Sequence, residues 1–483
     1  MFKGVLWHTI GKILFLLSSY AIHFFLGKAL SPAEYGVVGT IITILDFDYL
    51  FLNNGVRQSI SKALAGGAYD KRDVVKKGIF FQLLMVALVF GINFFGAPAI
   101  ASLLGDESLA GYIRYAAFII PFTGIYFAGL GVFNGMQAFS LEAGIISVYP
   151  ILKLAVIPLV AFVFTDPVVG TEAGFFFAAA AICGVTVWFL IRRRACYQPG
   201  GEKINFWKYA KNALSYSLLF SIVSVIMNMD TLIVKAVTSS DTLVGYYTGA
   251  VTFSKVPYYL LAAFYLVVLP VIAQHYGKKQ LEQARKTIGE LLSVILALVL
   301  PIVVVLCVSS GAVLSSFYTP QYAQAAGALS FLVVGIFFLG MTLVFCMIIS
   351  AAEKERFTNW LAVILLVAHV ALSLLLTEKL SITGAALANF ICTLAAMAVS
   401  GWYAIKLFGQ FFHRKHYLLI AVCAVLFLAV LGLFSLLPRL SLPVLALVYL
   451  ALYLAALGAM KIFGLFDLRN AISIVKKEKK ADE

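Results

Sequence analysis

The chain is short of charge. Of its 483 residues only 12% are Asp, Glu, Lys or Arg, while 62% are hydrophobic. A soluble domain carries roughly 25% charge and under about 50% apolar residues, because its surface must face water. The shortage excludes a soluble globular fold, so lipid is the solvent for much of the chain. Cysteine is scarce as well: six residues, none in a CxxC pair. That leaves neither a disulfide framework nor a zinc site. Strand-like alternation is missing. The apolar runs are continuous and about twice the roughly ten residues of a barrel strand, which excludes a membrane barrel. No GxxxxGK[ST] phosphate loop occurs, so energy for any transport must come from the membrane potential, an ion gradient or consumption of the product. The first apolar run has no small-residue cleavage site after it and is expected to stay as a helix.

What is present is a series of fourteen apolar runs, each long enough to cross about 30 Å of hydrocarbon. The first six are 5–26, 35–59, 78–104, 112–133, 143–164 and 173–191. A basic connector follows, and then 213–237, 244–273, 291–314, 328–350, 360–376 and 382–405. Two more lie at 417–437 and 443–463, before a polar tail. The net charge of +14 is not read as a nucleic-acid surface, because the basic residues sit in short loops between apolar runs. It is topogenic. With the N-terminus inside and strict alternation, about 28 Lys and Arg fall on the inner side and about 5 on the outer side. This bias predicts a multi-pass protein of the inner (plasma) membrane with both termini cytoplasmic and only short outer loops.

Internal repeats carry the architecture. The stretch LSPAEYG at 30–36 follows the first run, and SSDTLVG at 239–245 follows the seventh. Likewise NGMQ at 134–137 matches SAAE at 350–353, and Gly170 matches Gly384. The offsets all lie near 210 residues. An even number of helices per half makes the repeat parallel, about an axis along the membrane normal. The expected fold is all-α: about fourteen transmembrane helices, as two pseudo-symmetric six-helix lobes around a central cleft plus two C-terminal helices. The boundaries read as an N-terminal lobe 1–195, a cytoplasmic connector 196–212, a second lobe 213–410, two extra helices 411–466 and a tail 467–483.

Charges within apolar runs mark candidate functional residues, since each costs about 2.5–3.5 kcal/mol at a helix centre unless it faces water or a partner. They are Asp46, Asp48 and Arg57 on the second run, Lys153 on the fifth, Asp230 on the seventh and Lys255 on the eighth. Aligning Gly36 with Gly245 sets Asp46 opposite Lys255, and both are expected to face the cleft. Lys153 aligns with His369, one titratable group per lobe. Arg57, near the inner end of its helix, reads as a gate or substrate residue or as a side chain snorkelling to the surface. Asp230 reads as a partner of Lys235 or as an ion-coupling residue, with Asp48 beside it in that class. The pair Asp106-Glu107 reads as a solvated turn.

Several of these segments resemble one family. The block GKALSPAEYG at 27–36 is similar to the turn after the first helix of polysaccharide-biosynthesis flippases. NGVRQSISK at 54–62 resembles the end of their next helix. NMDTLIV at 228–234 and the stretch from VGYY at 244–247 to LPVIA at 269–273 resemble their seventh and eighth helices. The chain thus resembles the oligosaccharide (Wzx-type) branch of the multidrug/oligosaccharidyl-lipid/polysaccharide (MOP) superfamily from about residue 11 to about residue 407. The resemblance implies a transporter of polyprenyl-diphosphate-linked oligosaccharides, which is not an enzyme and needs no cofactor or metal. Its partners would be that lipid-linked substrate, membrane lipids and polysaccharide assembly proteins, with no nucleic acid. Lipid II flippases of the superfamily carry an Arg where this chain has Lys255, so the resemblance implies a headgroup role for Lys255 as a point charge rather than a fork. Substrate contact is expected of Lys255, Asp46, Lys153, Arg57 and His369. The other readings are a multidrug/cation antiporter of the same superfamily, which a positive cavity disfavours, and a membrane glycosyltransferase or polymerase, which the short outer loops disfavour.

Overall fold

In lipid a backbone must satisfy its own N–H and C=O groups, and a continuous apolar run does so as an α-helix. The structure, a computed structural model, describes residues 2–67, 69–193, 200–207, 209, 218–436 and 442–462. The described residues of each of the fourteen apolar runs lie largely on helix. Among the described residues there is no β-strand beyond one isolated bridge, Tyr69 to Glu202, and eight helices are long and apolar enough to cross a membrane. The protein is an all-α polytopic membrane protein. The chain forms two compact units, Met1–Thr248 and Gly249–Glu483.

The first unit begins with α1 (Phe2–Ala29) and α2 (Pro32–Tyr49). Ser31 caps α2 reciprocally: its hydroxyl accepts the Glu34 N–H, and Glu34 Oε2 accepts the Ser31 N–H at 2.7 Å. Pro32, whose missing N–H would be unpaired there anyway, opens the helix. This helix runs on through a π-helical stretch, Leu50–Arg57, into α3 (Gln58–Ala65). Then come α4 (Lys71–Leu103), α5 (Leu109–Ala117), α6 (Ile119–Gly135), α7 (Phe139–Val160) and α8 (Pro167–Arg192). The unit closes with α9 (Leu218–Thr238) and most of α10 (Asp241–Ser254). Part of the basic connector is docked: the Asp73 carboxylate accepts the Ile204 N–H at 2.9 Å, and Lys77 donates to the Ile204 carbonyl at 2.7 Å. Much of the connector 196–212, the start of the expected seventh run at 213–217, residues 437–441 and the tail from 463 lie outside the described residues.

The second unit holds α11 (Val256–Gly277), α12 (Leu281–Val308), α13 (Ser310–Phe317), α14 (Ala326–Ala351), α15 (Glu355–Phe408), α16 (Arg414–Leu436) and α17 (Leu442–Ile462). α14 is its centre, with 19 of its 26 residues buried. α15 contains two of the expected spans, which meet at Ser381, where φ is 53° and ψ is −139°. The last two helices lean on α12. His416 Nδ1 accepts the His413 N–H at 2.8 Å, so its Nε2 carries the proton and donates to the Gly289 carbonyl at 2.8 Å. Tyr453 donates to the Ala297 carbonyl at 2.8 Å, and Lys415 pairs with Glu290 at 2.6 Å.

The repeat read in the sequence reappears as repeated backbone geometry. Gln137 and Glu353, aligned above, both adopt left-handed conformations, with φ of 58° and 60°. The next N–H in each case reaches back five residues, Ala138 to Phe133 at 2.9 Å and Lys354 to Ile349 at 3.4 Å. These are the same helix-ending turn. Gly170 and Gly384 also share a role. A Cβ on Gly170 would lie 2.2 Å from the Ala161 carbonyl oxygen, and one on Gly384 would lie 1.9 Å from that of Leu376. Each lets a helix start against the end of the preceding one, an approach only glycine allows.

Candidate functional site

Three polar constellations lie along the second span, Pro32–Ala65. At its Pro32 end, α2 crosses the start of α10 without any side chain between them. A Cβ on Gly36 would lie 1.9 Å from the Asp241 carbonyl oxygen, and a Cβ on Gly245 would lie 1.9 Å from that of Pro32. The contact is reciprocal: Gly36 with Asp241 and Gly245 with Pro32, members of each aligned pair being 209 residues apart. Two copies of one motif meeting across a two-fold axis produce this pattern. Lys235 on α9 locks the same end. Its side chain is fully buried, and its ammonium donates to Asp106 at 2.6 Å and to Asp241 at 2.5 Å. Asp106 is therefore not the solvated turn residue expected from the sequence; Glu107 beside it is exposed. Asp230, five residues earlier on α9, is buried and acts on the buried Tyr247.

In the middle of the span stand Asp46 and Asp48. Asp48 is buried and accepts from Asn93 at 3.0 Å through Oδ1, while its Oδ2 has no hydrogen-bond partner among the described residues. Asp46 is half-buried and acts electrostatically on Lys153 of α7. The Lys153 ammonium sits 4.4 Å from the centre of the Tyr149 ring and 5.2 Å from that of Phe175. Among the described residues it makes no ion pair with a carboxylate. Within its own unit Asp46 thus has a cation near it, Lys153.

At the far end the helix widens to π geometry, a form found as local insertions at functional sites. Gln82 donates to the Leu52 and Gly124 carbonyls, tying the π segment to α6. Arg57 ends it. The guanidinium donates to Glu142 at 2.7 Å and to Asn53 at 3.2 Å. Glu142, completely buried, also accepts from Asn134 at 2.7 Å, and Asn134 accepts from Ser61 at 2.5 Å. Arg57 is thus anchored by a partner that the sequence did not disclose. Glu142 lies one position outside the expected span 143–164, whereas α7 begins at Phe139. Glu142→Ala is expected to leave the guanidinium half-buried and unpaired. The cost is about 2–3 kcal/mol, measurable as a lowered melting temperature in detergent.

In the second unit Lys255 occupies a break between helices. α10 ends at Ser254 and α11 starts at Val256, with Pro257 in its first turn. Pro257 has no N–H to carry the α10 ladder onward, and Ser254 instead donates its hydroxyl back to the Val251 carbonyl at 2.8 Å. Lys255 is half-buried at this interruption. Broken helices with charged residues mark ligand sites in transporters. His369 is wholly buried on α15.

Glycine crossings, intramembrane charges and a repeated helical plan belong to a polytopic all-α membrane fold. Residues 25–327, more than half of the chain, match the model of a family described as "Polysaccharide biosynthesis protein". The chain belongs to that family. It is 21% identical to an uncharacterized membrane protein of Methanocaldococcus jannaschii, over 98% of each chain. Its fold is similar to that of the lipid II flippase MurJ in an inward closed conformation, with a TM-score of 0.72, 15% identity and coverage of 96% of this chain and 99% of that one. It is also similar to an inward-facing multidrug resistance MATE family transporter of the MOP superfamily, with a TM-score of 0.69, 14% identity and coverage of 82% and 95%. The fold is that of MOP-superfamily transporters.

Proposed function

We propose that this protein moves a polyprenyl-diphosphate-linked oligosaccharide from the inner to the outer leaflet of the cytoplasmic membrane by alternating access. The observation that carries the reading is Lys153. A cation in the middle of a span, resting on two aromatic rings and held by no carboxylate ion pair among the described residues, is prepared for an anion. A diphosphate is such an anion, and its charge-assisted hydrogen bonds strengthen where water is scarce. Asp46 tempers that cation, so that the headgroup is held yet released. Lys255 supplies a second cation at its helix break, and Arg57 and His369 complete the substrate residues. Asp48 and Asp230 serve ion coupling or structure. A cationic drug would be repelled by Lys153, which weighs against the antiporter reading. The lysine-rich loops face the cytoplasm, where they attract anionic headgroups.

The test is translocation of defined lipid-linked sugars in liposomes. Lys153→Met is expected to lower the rate at least about tenfold, the loss of one charge-assisted contact of about 1.5–3 kcal/mol, while Lys153→Arg retains most of it. A lipid carrying the same sugar without phosphate should not be moved. An unchanged rate for Lys153→Met would remove the diphosphate site from this residue.

A further inference from the structure

The second span is clamped at both ends and irregular between them. At its Pro32 end Gly36 meets the Asp241 carbonyl, and a Cβ on Gly39 would overlap the Thr248 side chain. At its far end a Cβ on Gly131 would lie 2.7 Å from the Arg57 carbonyl oxygen, and one on Gly135 would lie 2.8 Å from that of Ser61. Val56, Ile60 and Leu64 are buried there with Val74, Val75 and Phe81. Between the clamps lies the π turn, Leu50–Arg57. Gln82 of α4, only 1% exposed, donates its amide to the Leu52 carbonyl at 3.2 Å and to the Gly124 carbonyl at 2.8 Å. Its own Oε1 has no hydrogen-bond partner among the described residues. The whole of this amide is thus given to holding the turn. On the same face of α4, Asn93 holds Asp48 just before the turn begins.

A π turn takes up one residue more than an α turn, because its hydrogen bonds span five residues instead of four. The extra residue sets the register of everything toward Pro32. Were 50–57 an ordinary α-helix on the same far-end clamp, each residue toward Pro32 would stand in the place of its predecessor, a turn of roughly 100° about the axis. Val37 would then occupy the place of Gly36, and Thr40 that of Gly39. The obstacles facing that place are the Asp241 carbonyl and the Gly245 nitrogen, both backbone, so a valine there keeps α10 away. The glycine crossing and the α form of 50–57 exclude each other.

We propose that the π turn is a register switch for the glycine crossing: it is held while Gly36 and Gly245 are in contact and relaxes to α-helix when they part, with Gln82 as the positioning residue that holds it. The helix carries the state of the crossing about 20 Å along its axis. Asp46 and Asp48 turn with it, and Asp48 leaves Asn93. A role of this turn in transport rests on the proposed function; the link between the crossing and the π turn does not.

The test uses full-length protein in liposomes, made with asparagine carrying carbon-13 at the carbonyl and nitrogen-15 at the backbone amide. Asn53-Asn54 is the one Asn-Asn pair in the chain, so a carbonyl-to-nitrogen correlation in solid-state NMR gives a single peak from within the π turn. Deleting Gly55 removes the extra residue, keeps the pair and supplies the peak position of the α form. Gly36→Val and Gly245→Val are expected to move the peak to that position, and Gly91→Val to leave it in place. Gly245→Val lies on α10, so it serves if Gly36→Val does not fold. If the deletion variant does not fold, one shifted position shared by the two valine variants takes its place. Gln82→Leu should move the peak the same way. A lowered melting temperature with an unmoved peak would make Gln82 structural only and overturn its positioning role. An unmoved peak in both valine variants overturns the switch. A working switch in a protein that moves no lipid-linked sugar would instead overturn the function and leave the switch standing.

Discussion

A Gly36→Val protein is expected to reach the membrane and to be inactive in transport. The added Cβ would fall 1.9 Å from the Asp241 carbonyl oxygen and 2.8 Å from the Gly245 nitrogen. Both obstacles are backbone, so no rotamer change relieves them, and α2 and α10 must part. Close glycine approaches of this kind hold transmembrane helices together by packing and not by a hydrophobic drive, because lipid is as apolar as the side chains. The reciprocal variant Gly245→Val meets the Pro32 carbonyl oxygen at the same 1.9 Å and should fail alike. Gly91→Val is the control: nothing lies within 4 Å of a Cβ there. The measurement is liposome transport together with the melting temperature in detergent. Lost transport and a lowered melting temperature in Gly36→Val, with both kept in Gly91→Val, is the expected pattern. Full transport by Gly36→Val would mean that this crossing is not used in the cycle.

The features legible in the sequence are those that one residue type forces. Gly36, Gly245, Gly170 and Gly384 stand where a Cβ would strike a carbonyl, and chemistry of that kind survives duplication as a readable residue. The span pattern was legible because hydrocarbon thickness and internal hydrogen bonding leave an apolar chain few alternatives. Partners were not legible. Arg57 meets Glu142 across 85 positions, and Lys235 meets Asp106 across 129. Nothing local in either stretch encodes the other. Helices also extend past the apolar runs: α7 and α8 start at Phe139 and Pro167, four and six residues before the expected span edges. Glu142 and Glu172 therefore fall just outside the expected spans 143–164 and 173–191 although both are buried. The π segment 50–57 left no signal, since its residues fit an ordinary helix equally well.

The other large effect is expected from Lys235→Met, and it comes from the aspartates rather than from the lysine. Deleting one member of a buried ion pair leaves the rest desolvated and costs about 3–5 kcal/mol. The lower end applies here because Asp106 and Asp241 keep partial contact with water, at 19% and 28% exposure. Lys235→Met/Asp106→Asn/Asp241→Asn should recover most of the loss, since the penalty belongs to unpaired charge and the three changes are coupled. A triple variant as unstable as the single one would mean that the lysine stem, not its charge, holds this end. Acid separates the proteins further. In the wild type burial pushes the Asp106 carboxyl up, but the Lys235 ammonium and the Ser108 hydroxyl and N–H outweigh it and hold the group below the usual carboxylate range. A carboxyl lowered by folding contributes stability above about pH 4 and loses it as pH falls through its folded value. Lowering the pH from 8 to 5 should thus leave this contribution in place. In Lys235→Met the ammonium no longer holds Asp106 down, while burial and the facing Asp241 carboxylate push it up. Protonation then relieves the repulsion, and the variant should gain stability relative to wild type over the same acidification. Parallel pH profiles of melting temperature for the two proteins would contradict the assignment of Lys235 as the charge that keeps Asp106 and Asp241 together.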